Sequence, residues 1–108
     1  MHTLALREKD LAVLRATLGR FPCVREARVF GSRANGTARR ASDLDLAVSA
    51  PSATPGEWAE LCGALEEAPL IYEMDLVRAE QTANPRLRQK IETEGVAIYP
   101  EAGVTTQD

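Results

Sequence analysis

Apolar positions recur along the chain in two rhythms, and each rhythmic stretch ends at a glycine or a proline. From Arg7 to Leu18 the side chains Leu11, Leu14 and Leu18 fall on one helical stripe, Gly19 offers a stop, and Pro22 breaks the chain beyond it. Ala27 to Phe30 then reads as a short strand entering Gly31. The stretch from Ser32 to Ser42 is polar, small and basic, which predicts a turn or a short helix. Leu44 to Val48 alternates cleanly: Leu44, Leu46 and Val48 face one way while Asp43, Asp45 and Ala47 face the other.

After a loop over 50–54, Thr54, Pro55 and Glu57 supply an N-cap, a first-turn proline and a capping-box acid. They open a helix whose core stripe is Trp58, Leu61 and Leu65, and Pro69 closes it. Ile71 to Val77 predicts a third strand, with Met74 and Leu76 on one face and Glu73, Asp75 and Val77 on the other. Asn84 and Pro85 start a last helix that turns Leu87 and Ile91 inward and stops at Gly95, and Val96 to Tyr99 supplies a fourth strand. Strands interleaved with helices predict an α+β (α/β-like) fold: a small mixed sheet of about four strands, with helices packed mainly on one face. No internal repeat is visible. Residues 1–100 are expected to form a single domain and residues 101–108 a flexible tail.

Composition supports a globular chain and narrows its chemistry. With 108 residues, 44% apolar and 27% charged, it can build one modest core. A net charge of −3 exerts no global pull on nucleic acid, so direct nucleic-acid binding is not expected. No apolar run approaches the roughly 20 residues that span a bilayer, and the first residues lack a signal-peptide core. The expectation is a cytoplasmic protein with no membrane partner. Cys23 and Cys62 have no partners at metal-ligand spacing, and Cys62 sits in an apolar helical pattern that suits a reduced, buried thiol. His2 is the only histidine, so histidine-based zinc sites are excluded.

Three features can carry chemistry. Phe30-Gly31-Ser32 ends a strand, and glycine there lets backbone amides approach phosphate oxygens, with the Ser32 hydroxyl as a further donor. Taken alone, such a pair usually just makes a turn. Asp43 and Asp45, two apart on a strand, project from the same face, where like charges repel unless a cation or good solvation offsets them. Oxygen pairs of this kind suit Mg²⁺, although Asp-x-Asp alone also fits an exposed strand edge. Asp75 lies in an otherwise apolar strand and needs a partner, either a shared metal or structural donors. If its strand neighbours Leu44–Val48, the three carboxylates cluster. Arg33, directly after the loop, is either a phosphate contact or an exposed structural arginine. Arg39 and Arg40 form a solvated basic turn or steer a triphosphate or an RNA backbone.

Gly31-Ser32, ten residues, then Asp43-Leu44-Asp45 resembles the signature of the DNA polymerase β-like nucleotidyltransferases. The string GSRANGTARRASDLDLAV is similar to the minimal nucleotidyltransferases, and so is the ending IETEGVAIYP. Many of these are antitoxins paired with a HEPN-domain ribonuclease toxin. The resemblance covers roughly Val29 to Val77. It implies that Gly31 and Ser32, with Arg33 beside them, hold the triphosphate of ATP. It also implies that Asp43 and Asp45 bind two Mg²⁺ ions, and that Asp75 is the third carboxylate, serving the catalytic metal and the acceptor hydroxyl. The implied activity is Mg-dependent transfer of AMP from ATP to a hydroxyl, a tyrosine of the HEPN toxin, in a hetero-oligomer. The alternatives are a non-catalytic antitoxin that masks the toxin by binding, and nucleotidyl transfer to a small molecule or an RNA end. Because larger relatives carry extra acceptor-binding domains, the resemblance implies that a partner completes the acceptor site.

Overall fold

The computed structural model describes residues 3–39, 42–100 and 105–106. The chain runs β1 (Thr3–Leu4), α1 (Glu8–Gly19), β2 (Glu26–Phe30), α2 (Ser32–Asn35), β3 (Leu44–Ser49), α3 (Pro55–Glu67), β4 (Met74–Arg78), a single 3-10 turn (Ala79–Gln81), α4 (Pro85–Glu94), β5 (Val96–Tyr99) and β6 (Thr105–Thr106). Four strands form one sheet in the order β4-β3-β2-β5. β3 and β4 are parallel, while β2 is antiparallel to both β3 and β5. This is the mixed four-stranded α+β sheet that the alternating pattern predicts.

The alternation of β3 sorts the layers. Leu44, Leu46 and Val48 are fully buried in a core shared with Leu11, Leu14 and Leu18 of α1 and Leu61 and Leu65 of α3. The opposite face carries a smaller cluster, Phe30, Ala47 and Ile91, against which Val77 and Leu87 pack. Two long helices thus cover one face, and α4 alone crosses the other. The predicted caps are present: Thr54 Oγ1 accepts from the Glu57 amide at 3.1 Å while the Thr54 amide donates to Glu57 Oε1 at 2.9 Å. At α4, Asn84 Oδ1 accepts from the Arg86 amide at 3.0 Å.

β4 departs from the expected Ile71–Val77 strand, since it begins at Met74 and runs on to Arg78. Tyr72, ahead of it, is engaged elsewhere. Its hydroxyl accepts from the Arg7 amide at 3.2 Å, and its ring lies 4.3 Å beneath the Arg33 guanidinium. Glu73 O still accepts from the Leu44 amide at 2.8 Å, while Ile71, two residues earlier, is 66% exposed. In the expected tail, Thr105–Thr106 pairs in parallel with Thr3–Leu4, a two-residue ribbon too short to carry a period. Positions 101–104 and 107–108, like His2, lie outside the described residues. Both cysteines are free and half-buried, and burial, with Glu66 nearby, raises the Cys62 thiol above its ordinary value. Among the described residues, no helix is long and apolar enough to cross a membrane.

Candidate active site

Gly31 joins β2 to the single turn of α2 with φ 74° and ψ −151°, a region open essentially to glycine alone. Its carbonyl accepts from the amides of Ala34 and Asn35, both at 3.0 Å, and Gly36 closes the turn in the left-handed conformation. The leading amides of such a turn point outward along its axis, where they can meet an anion. The missing side chain matters as much as the dihedral. A Cβ on Gly31 would overlap Asp45 Oδ2 and stand 3.2 Å from Asp45 Cγ. The carboxylate therefore occupies the space that only glycine leaves.

Asp45 is the Cα partner of Phe30 on one side and of Asp75 on the other. Adjacent strands lie about 4.8 Å apart, so the Asp45 and Asp75 side chains rise side by side from the face that α4 crosses. Asp45 is half-buried, whereas Asp75 and Asp43 are exposed, the latter one residue before β3. Burial raises the Asp45 carboxyl above its ordinary value. The Asp75 carboxylate adds to that rise, Lys90 opposes it, and Asp43 adds the least. The site therefore gathers negative charge on a partly desolvated oxygen pair.

Among the described residues, no three acidic, cysteine or histidine side chains converge tightly enough to enclose a cation unaided. Mg²⁺ does not require such an enclosure, because it takes one or two carboxylates and completes its octahedron with substrate phosphates and water. The open Asp45–Asp75 pair, with the exposed Asp43 one residue before β3, fits that donor set.

Arg33 needs a correction. Far from reaching out to phosphate, it is 5% exposed, and its guanidinium is committed inside the protein. Nη1 donates to Ala5 O at 2.7 Å, Nη2 to Ser42 O at 2.7 Å, and Nε to Ser42 O at 3.2 Å. With Tyr72 stacked beneath it, the arginine pins the turn of α2 to the start of the chain and to the end of the loop before β3. The Arg39 amide donates to Ser42 Oγ at 2.8 Å, bracing the same loop, and Arg40 lies outside the described residues.

This geometry can be set beside known proteins. The family described as "Polymerase beta, Nucleotidyltransferase" matches residues 13–102, a span that includes β2, the Gly31 turn, β3 and β4. The chain belongs to that nucleotidyltransferase family. No curated protein matches at a significant level. Solved structures do. A toxin–antitoxin crystal structure with AMP-PNP superposes with a TM-score of 0.64 and 28% identity, covering 84% of this chain and 72% of that one. An MntA–HpeT toxin–antitoxin variant with two Asp-to-Glu replacements two positions apart gives a TM-score of 0.62 at 28% identity, covering 85% of this chain and 72% of that one. A tyrosine-to-alanine variant of MntA–HpeT gives a TM-score of 0.62 at 28% identity over 87% and 72% of the two chains. The resemblance to minimal nucleotidyltransferases read from the motifs is thus borne out.

One charge beside these carboxylates was not singled out from sequence. Among the described residues, Lys90, on the exposed surface of α4, is the cation whose charge opposes the rise at Asp45. The available signal was its place on the helix, three residues after Leu87 and one before Ile91. It became readable only once α4 was known to cross the carboxylate face.

Proposed function

We propose that the chain transfers AMP from ATP to a hydroxyl on a toxin partner, a tyrosine of a HEPN-class ribonuclease, and thereby acts as an antitoxin. The observation that carries the reading is the placement of Asp45 between the bare α-carbon of Gly31 and the in-register Asp75. The glycine turn and the carboxylate pair thus share one end of β2, β3 and β4. The similarity to structures named as toxin–antitoxin, one of them with AMP-PNP, supports both the nucleotide and the partner class.

In this reading the triphosphate lies against the Ser32 hydroxyl and the first amides of α2, with the α-phosphate toward Asp45. Asp43, Asp45 and Asp75 would hold Mg²⁺, which supplies charge neutralisation on the attacking and leaving oxygens of the transfer. The hydroxyl oxygen attacks the α-phosphorus, the bond from that phosphorus to the bridging oxygen breaks, and pyrophosphate departs. Asp75, the exposed member of the pair, meets the incoming hydroxyl, and its carboxylate takes the proton. Asp45 is fixed by its burial and by the strands on either side, so it orients the phosphate and does not move with the acceptor. The added phosphodiester places negative charge where the ribonuclease must receive an RNA backbone, which blocks it. The reaction takes place in a hetero-oligomer in the cytoplasm.

The test is to mix the chain with the product of the neighbouring reading frame, ATP and Mg²⁺, and to measure the intact mass of that partner. A gain of whole AMP units, with loss of ribonuclease activity, is expected. A partner inhibited at unchanged mass would replace transfer with steric masking, and a partner neither bound nor modified would remove the antitoxin reading.

A further inference from the structure

The docking of α4 gives the carboxylate face a positive wall. Side chains advance by about 100° per residue around a helix, so those on one flank can be told from those on the other. With Ile91 pointing into the sheet between Phe30 and Ala47, Arg88 and Glu92 fall on one flank, and Leu87, Lys90 and Glu94 on the other. The first flank lines a cavity with Glu26, Arg28 and Ser49, at the far end of β2 and β3 from the Gly31 turn. The second flank must then face the Gly31 end. Glu94 shows that it does: Asn35 Nδ2, on the turn of α2, donates to Glu94 Oε1 at 3.2 Å.

Lys90 precedes Glu94 by one helical turn, so it stands on this flank above the β3 strand that carries Asp45. It is exposed, and its charge is felt at Asp45, where the other charged neighbours are Asp75 and Asp43. A flexible ammonium opposite a phosphate cradle, with a carboxylate pair between them, has one evident use beyond balancing charge. We propose that Lys90 is a triphosphate-binding residue that reaches across from α4 to the phosphates that leave as pyrophosphate. This assignment rests on the nucleotidyltransferase reading of the same site and deepens it, for it makes α4 the second jaw of the nucleotide cleft. In the nucleotide-free protein Lys90 neutralises part of the carboxylate charge. When nucleotide binds, the ammonium exchanges to the phosphate oxygens, which leaves Asp45 and Asp75 as the carboxylates that would hold a divalent cation.

The test uses binding of ATP and of inorganic tripolyphosphate, which has the phosphates without the nucleoside. Wild type is compared with Lys90→Ala, Lys90→Arg and Lys9→Ala, the last removing an equal charge from α1 on the opposite face of the sheet. Loss of a charge-assisted contact predicts that Lys90→Ala weakens both ligands by about 10-fold or more. Lys90→Arg should recover most of the loss, and Lys9→Ala should leave both affinities unchanged. Wild-type Tm should be retained in all three, because Lys90 and Lys9 are exposed. If Lys90→Ala binds tripolyphosphate as wild type does, or loses affinity only in step with a falling Tm, the assignment is overturned while the nucleotidyltransferase reading stands. If wild type binds neither ATP nor tripolyphosphate, both are overturned.

Discussion

Replacing Gly31 by alanine should injure fold and chemistry together, and the structure allows the two to be separated. Two penalties act at this position. The backbone sits at φ 74° and ψ −151°, a conformation that costs a residue with a side chain about 1–3 kcal/mol. The new methyl would also overlap Asp45 Oδ2, so the carboxylate must move. Gly36 is the matched control. It too has a positive φ, 86°, but a Cβ there meets nothing within 4 Å. Gly36→Ala should therefore cost only the left-handed backbone term, about 1–2 kcal/mol, and leave chemistry intact. Gly31→Ala should lose at least as much stability, with each kcal/mol lowering Tm by roughly 4–8 °C in a domain of this size. Its transfer rate should fall about 10²-fold, the scale of a reacting group misplaced by about 1 Å. Melting curves and nucleotide-transfer rates on the two variants, measured well below either Tm, provide the assay. A Gly31→Ala protein with wild-type transfer rate and the stability of Gly36→Ala would refute the argument that this glycine exists to seat Asp45.

Other outcomes follow from the same geometry. Asp45 has its carboxyl raised above the ordinary 3.8 by burial first and then by Asp75 and Asp43, so its charged form opposes folding above that raised value. The opposition is lost as pH falls through the raised value toward 3.8, so Asp45→Asn should raise the metal-free Tm at neutral pH and lose this advantage in acid. Thermal melts across that range in a chelating buffer check the sign. Arg33→Ala should lower stability by about 2 kcal/mol or more, since it removes charge-assisted bonds to Ala5 O and Ser42 O, and Arg33→Lys should recover little of it, as denaturant melts will show. Asp75→Ala, at an exposed strand position, should keep ATP binding and Tm while stopping transfer. Retained transfer with a lowered Tm would make Asp75 structural.

The elements that carry a period were legible before the structure. The alternation of Leu44, Asp45, Leu46 and Ala47 fixed which face Asp45 occupies, and the Thr54 and Asn84 caps marked two helix starts through local hydrogen bonds. The Gly31–Asp45 spacing was legible as a motif, but its meaning was not. Only the antiparallel pairing of β2 with β3, which sets Phe30 against Asp45, shows why the residue after Phe30 lacks a side chain. The neighbourhood of Asp75 needed strand order, a long-range property that a single strand's pattern does not contain. Arg33 was misread for a related reason: beside a polar loop an arginine looks exposed, and the partners that hold it inside include Ala5, Ser42 and Tyr72. Lys90 stayed hidden because the face that α4 covers is set by Ile91 packing on Phe30, not by anything within α4 alone.

The central claim is that this site moves AMP, and transfer of the nucleotide's own α-phosphate tests it most directly. ATP labelled at that phosphate should be incubated with the chain, Mg²⁺ and its partner, beside a parallel reaction containing the Asp43→Asn, Asp45→Asn double variant. The account predicts Mg-dependent labelling of the partner with equimolar release of pyrophosphate, reduced by about 10² or more in the double variant. Equal labelling by the double variant, or none by the wild type while the two proteins remain bound, would contradict it.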